Sequence, residues 1–575
     1  MPSSVLFMVL LLIVLLIALI RFQQHATEVF GAAILVMLVA GFIGTPDVLR
    51  NAANSGLATL VLLVLISYAL EKTSLLRRIS AYLFTTSVQG SVLRTVGFSA
   101  LASSVLNNTA VVAAMLNAVL SNNKVPASKL LIPLSYAAIM GGTLTLIGTS
   151  TNLIVHSMLT EKGHPGFAFF DFTLVGLGVV LAGGTVLLVF SRLLPTAELK
   201  QEKSTEYLLE AKLLADSPLV GKTVEEAGLR NLDELFLVEI YRGDKLLRPV
   251  ARYDVLEAAD KLVFTGNVQK VLSLKQFPGL QLFAEANGLA TQQLTEVIIK
   301  EESAIIGKSL KQSGFRARFD AAVVAIRRDG GRVNGKLGDI VLKAGDFLLL
   351  ATGPDFASRQ NLSKNFYVVS GIKPDHMLSG WREKLTWWGF VGLISVSVLT
   401  GVSLLTGGIF LLAILLFTGC LSVNEIKRRF PIEIWLIVCG ALCIASAMNT
   451  TGLSEAISRL AGSVLDGQSP IIALVGIMLL TYALTELITN NAAAALMFPI
   501  AFSLAEGLGI NVMPMVIAVA FAASASFITP YGYQTNLMVF NAGNYTLIHF
   551  VKVGLPVAIT YLAVCILLIP IVFPF

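Results

Sequence analysis

The chain has 575 residues, 55% of them hydrophobic and 14% charged, with a formal net charge of +6. Apolar runs near the length that crosses hydrocarbon recur at both ends of the sequence, which excludes an ordinary soluble globular protein. The positive balance calls for no nucleic acid, because an excess of Lys and Arg in cytoplasmic loops produces it, and the four cysteines all lie in apolar runs without disulfide or zinc spacing.

Val5 to Ile20 has no basic stretch ahead of it and no small-residue cleavage site behind it, so it reads as a first membrane helix rather than a leader. Further spans are expected at 27–43 and 56–70. The apolar stretch 88–122 is then interrupted by Ser103-Ser104-Val105-Leu106-Asn107-Asn108-Thr109-Ala110, and 128–160 by Gly148-Thr149-Ser150-Thr151-Asn152-Leu153, before a continuous span at 172–191. Lys72, Arg77, Arg78, Lys124, Lys129 and Arg192 share the cytoplasmic side only if 88–122 enters and leaves from that side. It is therefore a re-entrant hairpin with Asn107-Asn108-Thr109 at its tip.

Residues 197–384 carry a large share of the charge and form a soluble insert, expected in the cytoplasm. The insert repeats itself at an offset of 86 residues: Gly221-Lys222-Thr223 and Ala259-Asp260-Lys261-Leu262 recur as Gly307-Lys308-Ser309 and Gly345-Asp346-Phe347-Leu348. Short alternating strands and glycine turns make each copy a small α+β module, over 206–275 and 290–357. An isolated Gly-Lys-Thr is a weak phosphate signal and reads better as a strand-to-helix turn; no Gly-x-Gly-x-x-Gly follows a strand.

In the second half, spans near 385–406, 408–421 and 431–448 put Lys427, Arg428 and Arg429 inside and leave 449–467 outside. The run 468–507 dips in from the outer face, broken at Thr485-Glu486-Leu487-Ile488-Thr489-Asn490-Asn491-Ala492. A span at 512–545 is broken at Thr529-Pro530-Tyr531-Gly532-Tyr533-Gln534-Thr535-Asn536-Leu537, and a last one covers 550–573. Asn108 and Asn152 are 44 residues apart, and Asn490 and Asn536 are 46 apart. The fold class is a multi-pass α-helical membrane protein built as an inverted-topology repeat. It has two re-entrant hairpins, two broken helices, roughly ten spans and two cytosolic α+β domains between halves 1–195 and 385–575, with both termini outside.

Irregular backbone at membrane depth survives only where it is buried in protein or lines a watery cavity. Half-helix N-termini suit an anion, while unwound carbonyls and the neutral oxygens of Asn and Thr suit a small cation such as sodium. Two copies at matching positions argue for a transport site rather than for ordinary hydrogen bonding between helices. Glu486, an ionisable group within an apolar run, is a candidate for proton coupling or for a hydrogen bond within the hairpin.

Asn107-Asn108-Thr109-Ala110 and Thr489-Asn490-Asn491-Ala492 resemble the Ser-Asn-Thr signature pair of the divalent anion/sodium symporter family, and Thr485-Glu486 falls where that family often has Thr-Glu. The resemblance covers both membrane halves and implies an elevator-type carrier, a homodimer in the cell (inner) membrane. It puts one sodium near Ser103, Asn107, Asn108 and Gly148, and a second near Thr485, Thr489, Asn490, Thr529 and Pro530. Substrate would meet Asn108, Thr109, Asn490 and Asn491, with Thr151, Asn152, Thr535 and Asn536 close by. Here Asn107 and Thr489 replace Ser, and Asn491 replaces Thr, which puts dicarboxylate specificity in doubt.

The insert modules are similar to the C-terminal domain of the regulators of potassium conductance, which implies dimerisation and a nucleotide or other small regulatory ligand as candidate partners. Family members with two such modules resemble sulfate transporters, so the expected function is a sodium-coupled symporter for sulfate or a related divalent anion. The alternatives are proton coupling, a dicarboxylate or citrate substrate, or a cation-transport component gated by the modules. The last would need a carbonyl-lined filter, and no such run is present. An enzyme would need a cluster of His, Cys or paired carboxylates that the sequence lacks.

Overall fold

The computed structural model describes the chain except residues 1, 23–24, 74–82, 121, 123, 196–206, 231, 233–234, 244, 248–249, 267–273, 275, 283–293, 301–302, 329–336, 354, 357–358, 360, 371–377, 465–467 and 544. The cytoplasmic markers Arg77 and Arg78 lie outside the described residues. Among the described residues, six segments are long and apolar enough to cross a membrane: Ser3–Arg21, Thr45–Glu71, Thr173–Leu193, Ile432–Thr451, Pro470–Leu487 and Leu547–Val572.

The first half runs α1 (Ser3–Arg21), α2 (Ala26–Val39), α3 (Thr45–Ala52) and α4 (Ser55–Glu71), then a hairpin of α5 (Val88–Ser103) and α6 (Asn108–Leu120). A broken pair, α7 (Leu131–Gly142) and α8 (Ser150–Glu161), and a continuous α9 (Thr173–Phe190) complete it. The second half repeats the order with α10 (Trp381–Thr400), α11 (Leu404–Phe417), α12 (Val423–Arg429), α13 (Ile432–Thr451) and α14 (Leu453–Val464). Its hairpin is α15 (Pro470–Leu487) and α16 (Asn490–Gly507), its broken pair α17 (Val512–Ser524) and α18 (Gln534–Ala542), and its last helix α19 (Leu547–Val572). Three helices, α3, α12 and α14, fill stretches to which the sequence assigned no span. In α3, the Asp47 carboxylate accepts from Gly44 N at 2.9 Å, which starts the helix. In α14, Ser458 Oγ donates to Ser503 O at 2.8 Å and fastens the helix to α16.

The halves interlock rather than sit side by side. α13 packs on α2 and α3, α9 on α19, and α8 on α16 and α17. The Tyr136 hydroxyl of α7 donates to Phe527 O at 2.5 Å, and Tyr545 OH donates to Ser128 O at 2.5 Å.

The insert forms one continuous sheet in the order β3-β2-β4-β1-β7-β8-β6-β9, with β5 also on β1. Its strands are β1 (Tyr207–Leu213), β2 (Leu235–Arg242), β3 (Lys245–Leu247), β4 (Lys261–Gly266), β5 (Leu280–Leu282), β6 (Leu294–Ile299), β7 (Ala321–Arg327), β8 (Phe347–Thr352) and β9 (Phe366–Ser370). The two copies join where β1 pairs with β7, Leu209 opposite Ala325. Each copy runs past its expected end, at 275 and 357. β5 pairs with β1 and β9 pairs with β6, and both strands are too short to show an alternating pattern in sequence.

The 86-residue repeat extends to its chemistry, apart from a further bond from Arg242 to Glu257, where the second copy has Lys343. Arg242 grips the buried Asp260 with two bonds (3.0 and 2.8 Å) and Val255 O with a third, while Arg328 does the same to the buried Asp346 (2.6 and 2.7 Å) and Val341 O. The Gly-Lys-Thr and Gly-Lys-Ser turns are capping boxes. Thr223 Oγ1 accepts from Glu226 N and Glu226 Oε2 from Thr223 N, and Ser309 and Gln312 repeat the exchange. These donors and acceptors are thus spent on turning the chain.

Candidate functional site

Each hairpin breaks at an N-cap. Thr489 accepts from Ala492 N at 3.4 Å to start α16, and the Asn107 side chain accepts from Thr109 N at 2.9 Å at the start of α6. Both residues are exposed, and among the described bonds their side chains serve these caps. The expectation that they join Ser103 and Thr485 around a cation therefore finds no contact in the described bonds. In the second broken pair, Pro530 denies the helix a donor, and Tyr533 takes an extended conformation (φ −145°, ψ 138°) before α18 begins. In the first, Thr149 is likewise extended (φ −138°, ψ 148°) before α8.

Four half-helices, α6, α8, α16 and α18, thus begin at the breaks, and they meet in two crossed pairs. α6 faces α18 through Asn108 and the Tyr533 hydroxyl (2.8 Å) and through Thr109 Oγ1 and Gln534 Oε1 (3.4 Å). α8 faces α16 through Ser150 Oγ, which donates to Asn491 Oδ1 at 2.7 Å. Each pair takes one member from each half of the chain. Hydroxyls close the seam: Ser135 Oγ bonds Thr535 Oγ1 (2.9 Å) and Asn536 Oδ1 (2.7 Å), and Thr151 Oγ1 bonds Ser524 Oγ (2.5 Å).

Oxygen atoms crowd behind these ends. The Asn108 carboxamide presents one atom to Ser103 Oγ (2.5 Å), Ala138 O (3.2 Å) and Gly148 O (3.3 Å), and the other to Tyr533. With its nitrogen inward it donates to those oxygens, and with its oxygen inward four oxygens converge, which suits a small cation. Backbone comes this close because Gly142 and Gly148 carry no Cβ: one on Gly142 would strike the Asn108 amide, and one on Gly148 would lie 2.9 Å from Ser103 O. The second cluster is its counterpart. Thr485 Oγ1 lies 2.9 Å from Asn490 Oδ1 and 2.6 Å from Ala523 O, two acceptors for a single hydroxyl proton. Behind it, Asn536 Nδ2 donates to Ser526 O at 2.8 Å and lies 3.5 Å from Thr529 O, while Asn152 Nδ2 donates to Thr145 O at 2.9 Å in the first half. Asn152 Oδ1, Asn490 Nδ2 and Ser526 Oγ are buried atoms with no partner among the described residues.

The Glu486 carboxylate braces the second break. Oε1 accepts from Phe527 N and Ile528 N (3.0 Å each) and Tyr482 OH (3.2 Å), and Oε2 accepts from Thr529 N (3.2 Å) and Thr529 Oγ1 (2.8 Å). The first half does the same work with a backbone carbonyl, Ser104 O accepting from Thr145 Oγ1 at 2.5 Å.

Sequence reasoning singled out Asn108, Thr109, Thr151, Asn152, Asn490, Asn491, Thr535 and Asn536, and the structure places all eight at or directly behind the crossed pairs. It missed Tyr533, Gln534, Ser150, Ser135 and Ser524. The first three lie inside the polar stretches themselves, whereas Ser135 and Ser524 are single hydroxyls in apolar helices and carry no such signal.

The family model described as citrate transporter matches residues 14–520. The chain is 33% identical to a putative sulfur deprivation response regulator of Chlamydomonas reinhardtii, over 95% of this chain and 99% of that protein. It is 30% identical to an uncharacterized transporter of Synechocystis sp., over 95% of this chain and 94% of the other. Sodium/sulfate cotransporter 1 of Chlamydomonas reinhardtii is 29% identical over 62% of this chain and 42% of its own length.

Proposed function

The chain belongs to the citrate transporter family, as an integral multi-pass anion permease of the divalent anion/sodium symporter type, and from that premise we propose that it carries sulfate or a related divalent anion together with sodium. The observation that carries the reading is the meeting of four helix N-termini, two from each half, with an oxygen cluster behind each hairpin tip.

The electrostatics support both parts. No Lys or Arg lies in 104–110, 148–152, 485–491 or 529–536, so an anion there is held by N–H groups, hydroxyls and amides. Each helix N-terminus acts as about half a positive charge, so four of them supply about +2. The Glu486 carboxylate subtracts one charge, and a co-bound cation restores the balance. Ser103, Asn108 and Gly148 would hold one sodium, and Thr485, Asn490 and the backbone around Ala523 and Thr529-Pro530 a second. A resident cation supplies charge compensation, and the hairpins supply the oxygens. Asn108, Thr109, Asn490, Asn491, Thr151, Asn152, Thr535 and Asn536 would line the anion path.

The relatives' names support sulfate over dicarboxylate. We assign Glu486 to bracing rather than to proton coupling, because protonating it would release backbone donors that have no other partner among the described bonds. An elevator movement of the hairpins in a homodimer, with the insert as a regulatory unit on the cytoplasmic side, completes the proposal.

The test is uptake of radiolabelled sulfate into proteoliposomes with and without an inward sodium gradient. Sodium-stimulated uptake is expected. Uptake that ignores sodium and follows a pH gradient overturns the coupling, and competition by succinate without uptake of sulfate overturns the substrate.

A further inference from the structure

The two crossed pairs are related by the internal repeat, and their contacts differ at one place. Thr109 corresponds to Asn491 and Gln534 to Ser150, and each of these pairs is bonded, at 3.4 and 2.7 Å. The next pair inward is Asn108 with Tyr533, which corresponds to Asn490 with Thr149. Tyr533 OH meets the Asn108 amide at 2.8 Å. Thr149 is too short to return the contact, and Asn490 Nδ2 is left buried with no partner among the described residues.

A site with two symmetry-related carboxamides suits a ligand with two equivalent ends. Here the phenol of Tyr533 covers one carboxamide and leaves the NH2 group of the other buried without a partner among the described residues. We propose that Tyr533 is a specificity-determining residue that fills the Asn108 end of the site and restricts it to a compact anion bound at the Asn490 end. An anion with one charged centre, such as a tetrahedral oxyanion, needs one amide donor and the surrounding N–H groups. A four-carbon dicarboxylate needs both ends, and the phenol stands in one of them. The inference rests on the anion-transport reading above.

The test is a shortening series at one position, Tyr533→Phe, Leu, Val and Thr, in the full chain. Purified protein in sodium-containing buffer is titrated with sulfate and with succinate, reading the shift in thermal stability, and succinate inhibition of labelled sulfate uptake is read in proteoliposomes. Wild type and Y533F should respond to sulfate and hardly to succinate. Y533V and Y533T should respond to succinate at concentrations at least tenfold lower than wild type, since the ring rather than the hydroxyl is the obstacle. Four variants keep the series readable if one fails to fold. A succinate response that is flat across the series, or already strong in wild type, overturns the role of Tyr533 even where sulfate uptake is intact. Absence of any sulfate response in wild type overturns the function itself, and a succinate response that still rises along the series would uphold the role of Tyr533 in that case.

Discussion

Glu486→Ala is the perturbation whose consequence the structure sets most directly. It removes the acceptor of Phe527, Ile528 and Thr529 N–H and of two hydroxyls. The hydroxyls can rotate to other acceptors, but the three backbone donors belong to an unwound stretch with no helical partner. An unmet buried donor costs about 1–3 kcal/mol, so three cost about 3–9 kcal/mol, and any water that reaches the unwound stretch would hold the result near the lower end. About 3 kcal/mol is a shift of more than a hundredfold toward a frayed break. Glu486→Gln keeps one oxygen but turns an NH2 group toward the Thr529 donors, costing about 1.5–3 kcal/mol for the charged bonds it loses. The assay pairs thermal stability in detergent with sulfate uptake between pH 6 and 8. The expected order of stability and uptake is wild type, Gln, Ala, with the pH profile of the Gln variant parallel to that of wild type. A Gln variant as stable as wild type but without its pH dependence would refute bracing and make Glu486 the proton-coupling group.

Three further outcomes follow from the same contacts. Asn108→Ala and Asn490→Ala should each lower sulfate uptake by at least a hundredfold while the protein remains monodisperse, because each removes an oxygen from a proposed cation site and a polar group from the proposed anion path. Arg242→Ala and Arg328→Ala should destabilise the insert alike, each by about 3–5 kcal/mol, since each takes the guanidinium away from a fully buried aspartate; a difference of more than about 2 kcal/mol in thermal or denaturant unfolding would contradict the equivalence of the two copies. Replacing 207–370 by a short linker should leave the membrane unit folded with uptake within a few-fold of wild type. Deleting 294–370 alone should give aggregated protein on size-exclusion chromatography, because it bares the β1 edge and removes the Leu337 N–H that donates to buried Glu210 at 2.8 Å.

The insert shows how a repeat can be legible while its assembly is not. Spacing alone located both copies and their glycine turns, and the paired arginines and aspartates fall at the repeat offset. That the copies share one sheet depends on β1 meeting β7, more than a hundred residues downstream, and neither strand advertises an edge in its sequence.

The site divides along the same line. Local sequence determined the membrane class, the two hairpins, the two broken helices and most of the polar residues at their tips. Uncharged oxygen-bearing residues inside apolar runs have one economical physical outcome, a break lined with donors and acceptors. Tertiary structure alone decided which helix end faces which. The bonds that build the site join residues 341 and 425 positions apart, and those distances are set by packing of the two halves. Packing turned Tyr533 across the pseudo-twofold onto Asn108 and left Asn490 Nδ2 without a partner among the described residues. It also gave Glu486 the donors of residues 527–529 for company, and so made a carboxylate that the sequence marks as ionisable into the clasp of a broken helix.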